Sequence, residues 1–122
     1  MVGFDLGGLD LGDIVRVPFP HIERNRMTVR PAMVLTPSPI GPNGLLIWAA
    51  MITNAKRDVW PDDIVIDDWE ALGLIVPSRV RTTKITPVEA KSASLLGKAD
   101  DALIAQVRTT VAKHLQFNLK AT

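Results

Sequence analysis

Two short apolar runs separated by a polar segment dominate the first third of the chain. The first lies within residues 14–17 and is followed by two prolines, and the second lies within residues 29–35. Residues 21–28 between them are polar and basic. Short apolar runs bounded by proline and polar clusters are typical of β-strands joined by a loop. The pattern therefore predicts a strand–loop–strand unit over residues 12–35.

The second of these strands opens with the dipeptide Arg30–Pro31. Proline lacks a backbone N–H, so it is found at the start or the edge of a strand. It also biases the residue before it toward an extended backbone. We therefore expect Arg30 at the rim of the sheet, on a stiff piece of backbone.

A continuous apolar run over residues 45–52 follows a segment, residues 36–44, that is dense in proline and glycine. The run is too short for an isolated helix and is flanked by turn residues, which favours a fully buried strand. Trp48 lies in the middle of this run and is expected in the core. Thr53 follows at the exit of the strand.

The second half of the chain predicts two further strands and one helix. Residues 62–67 read as a short strand, and residues 78–85 alternate between apolar and basic side chains, which predicts a strand with one basic face. Residues 86–97 are predicted as a turn-rich return. From Asp100 to about Phe117, apolar residues recur every four positions, as in an amphipathic helix. Short strands followed by one terminal helix suggest a small barrel-like sheet capped by a helix.

Length and composition limit the classes of protein and of site. A chain of 122 residues is expected to form one domain. Its net charge of +1 gives no general basic field, so nucleic-acid binding must depend on a local patch. The absence of cysteine excludes disulfides and thiolate metal sites. Without a run long enough for a bilayer or a signal-peptide pattern, the chain is expected to be cytoplasmic, with no membrane contact.

Basic residues form three groups that are candidates for one nucleic-acid-binding groove. The groups are Arg24 and Arg26 close to Arg30, then Lys56 and Arg57, and finally Arg79, Arg81 and Lys84. If the fold brings the three groups together, they would follow a single-stranded backbone. Ordinary solvated surface charge is the alternative. Trp60, close to the second group, is either a base-stacking residue or a packing residue at the edge of the domain.

An ordered series of short motifs runs through most of the chain. G-D-I-V-x-V-P-F-P begins at Gly12, and R-P-A-x-V-L begins at Arg30 after a polar loop. Further segments of the series are Ala50–Thr53, Asp68–Leu74, Pro77–Ser78 and Lys84–Ile85. In this order the motifs resemble the MazF/PemK family of bacterial growth-inhibiting toxins, over residues 12–117. Residues 1–11 and 118–122 are then expected to be an N-terminal arm and a frayed tail.

The resemblance implies a fold, an activity and partners. The implied fold is mainly β: a small SH3-like barrel of the CcdB/PemK type with a C-terminal α-helix, usually in a homodimer. The implied activity is that of a metal-independent endoribonuclease, without a cofactor, that cleaves single-stranded RNA at a short sequence. The resemblance also implies a cognate antitoxin, often with a flexible acidic segment that occupies the RNA groove.

Three residues are candidates for the chemistry. Arg30 matches the arginine of the family's R-P motif, and a planar, permanently charged guanidinium suits the negative charge that builds on a phosphate attacked by a ribose 2′-hydroxyl. Thr53 matches the family's threonine or serine at the end of the buried strand, where its hydroxyl would hydrogen-bond a phosphoryl oxygen. His21 is the histidine near this site, and its ordinary pKa suits proton transfer at neutral pH.

One departure from the family pattern leaves alternatives open. Some relatives carry an Arg-x-Asp pair late in the chain, whereas Ser78–Arg81 contains no acid. The alternatives are a non-catalytic toxin similar to CcdB, which poisons DNA gyrase, and a barrel that binds nucleic acid or peptide without chemistry. With only two histidines and no cysteine, the sequence predicts no metal site.

Overall fold

The computed structural model describes residues 8–20 and 27–116, and in them six strands precede one helix. We number the elements in chain order. They are β1 (Asp13–Pro20), β2 (Met27–Val34), β3 (Leu46–Asn54), β4 (Asp63–Ile66), β5 (Ser78–Glu89), β6 (Ser94–Lys98) and α1 (Asp101–Leu115). Short 3₁₀ turns occupy Pro42–Gly44 and Ala90–Ser92. The predicted class, mainly β with a C-terminal helix, is confirmed.

The strands form one sheet in the order β4-β5-β3-β2-β1-β6, and each neighbouring pair is antiparallel. Among the described residues, the edge strands β4 and β6 do not pair with each other. The turn that follows β4 instead packs on β6, backbone against backbone. A Cβ atom on Gly97 would lie 2.6 Å from the Leu72 carbonyl oxygen, and one on Gly73 would lie 2.6 Å from that of Leu96. Glycine at both positions permits this approach, which brings the two edges of the curled sheet together.

Both faces of the sheet bury apolar side chains, in two separate clusters. The first cluster includes Ile14, Met33, Ala50 and Ile52, together with Val107 of α1. The second is formed by the alternate residues of the same strands and includes Val15, Val17, Phe19, Ala32, Val34, Ala49 and Met51. Because successive side chains of a strand point to opposite faces, apolar runs without alternation are expected for strands buried on both sides.

The helix begins and ends close to the predicted positions. Asp100 is its N-cap, and its side chain accepts a hydrogen bond from the Leu103 N–H at 2.8 Å. At the other end, His114 Nε2 lies 3.1 Å from the hydroxyl of Thr82 on β5, and the same hydroxyl donates to the Asp62 carbonyl. This contact links the end of α1 to the start of β4.

Three sequence-based predictions are wrong. The second strand does not open with Arg30–Pro31, because β2 begins at Met27 and pairs with β1 from that residue onward. Residues 86–97 are not an irregular return, because β5 continues to Glu89 and β6 pairs with β1. Trp48 does not lie in the core and is 45% exposed. Its side chain points to the opposite face from those of its buried neighbours Ile47 and Ala49. Because all three residues are apolar, the sequence does not show which of them faces solvent.

Candidate functional site

Arg30 and Thr53 lie where β2 and β3 separate. The pairing of these strands ends at Ala32 and Met51, and continuing that register by two residues sets Arg30 opposite Thr53. Residues directly opposite each other share one face of a sheet. Thr53 is buried, while Arg30 is half-buried and is paired on its other side with Val17 of β1. The fold therefore places two candidate residues that are distant in sequence on neighbouring strands, just beyond the last β2–β3 pair.

Lys84 joins this pair through an irregularity in β5. Ala50 of β3 pairs with Ile85 and Ile52 pairs with Val80, so residues 81–84 of β5 lie opposite Met51 alone. Bulges of this kind redirect side chains. Burial lowers the pKa of Lys84 below its ordinary value of 10.5, and the positive charges of Arg30 and Arg81 lower it further. Arg30, Arg81 and Lys84 thus form a cluster of like charges, which we call the cationic cluster.

A bound anion is what this cluster is suited to accept. The charged form of Lys84 is less favourable here than in water, first because the side chain is partly buried and second because Arg30 and Arg81 repel it. A phosphate placed among them would relieve that repulsion. The cluster lies beside Thr53, whose hydroxyl is of the type that donates to phosphoryl oxygens.

Arg79 holds the loop that follows Thr53. Its Nη1 donates to the Ala55 carbonyl at 2.6 Å, and its Nη2 donates to the carbonyls of Arg57 and Asp58 at 2.8 and 3.1 Å. Its Nε donates to the carboxylate of Asp63 at 3.3 Å. The side chain is buried, so its guanidinium is committed to the protein. Direct contact of Arg79 with RNA remains a prediction from the sequence, and it would compete with these bonds.

Arg81 follows Arg79 on the same face of β5 and makes a similar set of contacts. Its Nε and Nη2 donate to the two oxygens of Asp63 at 3.2 and 2.9 Å, and Nη2 also donates to the Asp58 carbonyl at 2.5 Å. Its guanidinium carbon lies 4.1 Å from the centre of the Trp60 ring, a cation–π contact. Arg81 therefore contributes charge to the cationic cluster while most of its donors hold residues 58–63.

Asp63 is an anion that pairs with both arginines. Its side chain has no exposed surface. Burial alone would raise the pKa of this carboxyl, but hydrogen bonds from Arg81, the Trp60 N–H and Arg79, with the charge of Arg81, hold it below the ordinary value of 3.8. No sequence pattern marks Asp63 as part of the site. Its role becomes visible only in the folded chain, where the β4–β5 register sets Asp63 opposite Arg81.

The remaining candidates differ in position. Lys56 and Arg57 lie on the loop directly after β3, and both are exposed, as expected for contact with a ligand. His21, Arg24 and Arg26 lie outside the described residues. In residues 8–20 and 27–116, no group of three or more His, Cys, Asp or Glu side chains is arranged to hold a metal ion. No helix in that part of the chain is long and apolar enough to cross a membrane.

Fold and site together define a small antiparallel β domain with a terminal helix and a cationic cluster. The family model for PemK-like, MazF-like toxins of type II toxin–antitoxin systems matches residues 10–115. This match covers most of the chain, and the protein belongs to that family. No match to a curated protein sequence was found.

Solved structures agree in fold. MazF from Deinococcus radiodurans superposes with a TM-score of 0.71 and 24% identity, covering 91% of this chain and 98% of its own. A chain of the MazE–MazF complex from the same organism has a TM-score of 0.65 and 25% identity, covering 88% and 95%. An endoribonuclease in complex with its cognate antitoxin, from a mycobacterial species, has a TM-score of 0.63 and 13% identity, covering 90% and 95%.

Proposed function

We propose that this protein is the toxin of a toxin–antitoxin pair and that it cleaves single-stranded RNA as a metal-independent endoribonuclease. Family membership supports the first part, and the mycobacterial relative described as an endoribonuclease supports the second. The observation that carries the proposal for this chain is the cationic cluster beside Thr53. It joins Arg30, the arginine of the R-P motif, to Lys84 in a partly buried anion site.

The proposed reaction is a transesterification within the RNA. The ribose 2′-oxygen attacks the adjacent phosphorus, the bond from phosphorus to the 5′-oxygen breaks, and the products carry a 2′,3′-cyclic phosphate and a 5′-hydroxyl. Negative charge builds on the non-bridging oxygens, where Arg30 and Lys84 stabilise it. The Thr53 hydroxyl donates a hydrogen bond to one of these oxygens. Lys56 and Arg57 bind the flanking phosphates.

The 2′-hydroxyl must lose a proton and the leaving 5′-oxygen must gain one. Asp63 is a poor base for this purpose, because its carboxylate is buried between two arginines and its pKa is lowered. His21 is the proposed proton carrier on sequence grounds. The His21→Gln variant is then expected to cleave about 10²- to 10⁴-fold more slowly with unchanged RNA affinity. If this variant cleaves at the native rate, His21 carries no proton in the reaction, and the protein acts only through its contacts with the phosphate.

The proposed partners follow from the same site. A site that attracts phosphates also attracts carboxylates, so an antitoxin with an acidic segment would occupy it and exclude RNA. Relatives of this fold have been solved as MazE–MazF and toxin–antitoxin complexes. We further propose a homodimer that acts in the cytoplasm, where its RNA substrate is found. Sedimentation that shows only a 13.3 kDa species at micromolar concentration would contradict the dimer.

The proposed activity is tested by incubating the purified protein with long single-stranded RNA in excess chelator. Discrete fragments are expected from the native protein and none from Arg30→Gln, which keeps a polar side chain but removes the charged guanidinium. RNA that stays intact, although the protein binds it, would favour the barrel that binds without chemistry. RNA that is neither bound nor cut would favour a toxin of the CcdB type.

A further inference from the structure

The indole ring of Trp60 packs on the guanidinium of Arg81. One face lies on the guanidinium of Arg81, 4.1 Å from the ring centre, yet 37% of the residue remains exposed. The backbone of Trp60 is held on both sides by Asp63. The Trp60 N–H donates to the Asp63 carboxylate at 2.9 Å, and the Trp60 carbonyl accepts from the Asp63 N–H at 3.1 Å. The ring is therefore both accessible and held in place.

The supporting arginine is held as firmly as the ring. Arg81 is buried, and its Nε and Nη2 are bonded to Asp63 and to the Asp58 carbonyl. Arg81 can therefore keep its position when a ligand binds, and little side-chain conformational freedom remains to be lost on binding. The charge of Arg81 attracts one face of the Trp60 ring and holds the ring in place. A second π-system, such as a nucleobase, can then stack on the opposite face.

Trp60 also lies at the border of the anion site. The Arg81 that supports it is one of the two charges that act on Lys84, the other being Arg30. Lys56 and Arg57 precede it on the same loop and are exposed. An RNA strand with a phosphate in the cationic cluster therefore passes close to the ring, and each of its nucleotides carries a base with a flat face.

We propose that the exposed surface of Trp60 is a stacking site for one nucleobase of the RNA strand, next to the phosphate bound by Arg30 and Lys84. This proposal depends on the proposed function, since it assigns a second contact to the same substrate. Stacking tolerates any base, because each has a π-face. Trp60 accordingly contributes affinity and positions the strand, while the choice of sequence lies with other contacts.

Trp48 provides a matched comparison. It is exposed to a similar degree, at 45%, but its position in β3 is of opposite parity to that of Thr53. It therefore lies on the other face of the sheet, where its paired neighbour on β5 is Pro87. A general effect of losing an exposed tryptophan would appear in both variants, whereas a stacking site beside the cationic cluster affects Trp60 alone.

The experiment uses a 2′-fluoro oligonucleotide, which cannot be cleaved because it lacks the 2′-hydroxyl, and measures its binding by fluorescence anisotropy. An abasic residue is placed at each position in turn. With the native protein, one position is expected to lose about 5- to 150-fold in affinity, the usual worth of one base–aromatic stack. Trp60→Leu should bind the intact strand more weakly by a similar factor and should no longer respond to that abasic position. Trp60→Phe should recover part of the loss, and Trp48→Leu should match the native protein.

Three results would overturn the proposal, and they are distinguishable. If the native protein binds and cleaves RNA but Trp60→Leu keeps the native abasic profile, the stacking site is wrong and the nuclease proposal stands. If Trp60→Leu binds the strand normally but sediments as a smaller species, Trp60 is a contact between copies of the chain. If the native protein neither binds the oligonucleotide nor cuts RNA, the proposed function fails and the stacking site fails with it.

Discussion

Asp63 and Arg81 lie directly opposite each other in the β4–β5 register, and the guanidinium of Arg81 binds both oxygens of the carboxylate. Arg79 adds a third hydrogen bond to the same group. The two arginines also bind the carbonyls of Ala55, Arg57 and Asp58. One buried anion thus organises the loop between β3 and β4, which carries Trp60 and the exposed residues Lys56 and Arg57.

Asp63→Asn is expected to destabilise the protein strongly. The amide keeps the shape of the carboxylate but removes its charge, which leaves two buried guanidinium groups without a counter-ion. Breaking a buried pair by removing one partner costs about 3–5 kcal/mol. The measurement is the midpoint of urea unfolding. Asp58→Asn is the control, because Asp58 contacts the arginines through its backbone carbonyl, and its midpoint should not change.

The contribution of Asp63 should disappear in acid. Its pKa in the folded protein lies below its ordinary value of 3.8, so the stabilisation is fully present above the unfolded pKa and is lost as the pH falls through the folded pKa. The difference in unfolding free energy between the native protein and Asp63→Asn is therefore expected to stay constant from about pH 7 to 5 and to shrink below about pH 4. A difference that remains unchanged into strong acid would mean that the charge of Asp63 is not its source.

Lys84→Met separates binding from stability. The pKa of Lys84 is lowered in the folded state, so between the folded and unfolded values the unfolded chain binds more protons and stability rises with pH. Removing this unfavourable charge should not lower the urea midpoint. It should weaken oligonucleotide binding and reduce the salt slope by about 0.7, the value for one phosphate of a single strand. Lys91→Met, at a 79% exposed side chain in the Ala90–Ser92 turn, should change neither property. An unchanged salt slope for Lys84→Met would remove this residue from the anion site.

Gly97→Ala tests how the two edges of the sheet are held together. The added methyl group would lie 2.6 Å from the carbonyl oxygen of Leu72, closer than van der Waals contact allows. Forcing the turn and β6 apart is expected to cost about 1–3 kcal/mol, as for overpacked cores. Ser94→Ala, at an exposed position of the same strand, should stay within about 0.5 kcal/mol. Equal urea midpoints for Gly97→Ala and the native protein would show that the turn can shift away from β6 without loss of stability.

The sequence predicts most of the elements, because their signals are local. The first strand ends at Pro20, and α1 carries its own apolar period and its N-cap, Asp100. Strand β6 has no such signal. Two adjacent leucines and a glycine become a strand because β1 pairs with them and the turn after β4 packs on them.

The site shows the same division between local and long-range information. The extended backbone of Arg30 follows from the proline beside it, and Arg79 and Arg81 were predicted to share one face of their strand. The sequence could not show that Asp63 and the carbonyls of loop 55–58 occupy their donors, because that depends on how β4 is aligned with β5. The approach of Lys84 to Arg30 likewise depends on the irregular pairing opposite Met51.

The proposed reaction is tested best by the single-turnover rate at which the protein cleaves, in chelator, a short RNA that contains one mapped cut site. The native protein is compared with Arg30→Gln on this RNA and on the same strand with a single 2′-deoxy residue at the cut. For the proposed reaction we expect a 2′,3′-cyclic phosphate at the new end and no cleavage of the deoxy strand. Arg30→Gln should cleave at least about 10²-fold more slowly, as for removal of one group that stabilises developing charge. Cleavage of the deoxy strand, or a native rate for Arg30→Gln with unchanged binding, would contradict the proposed reaction.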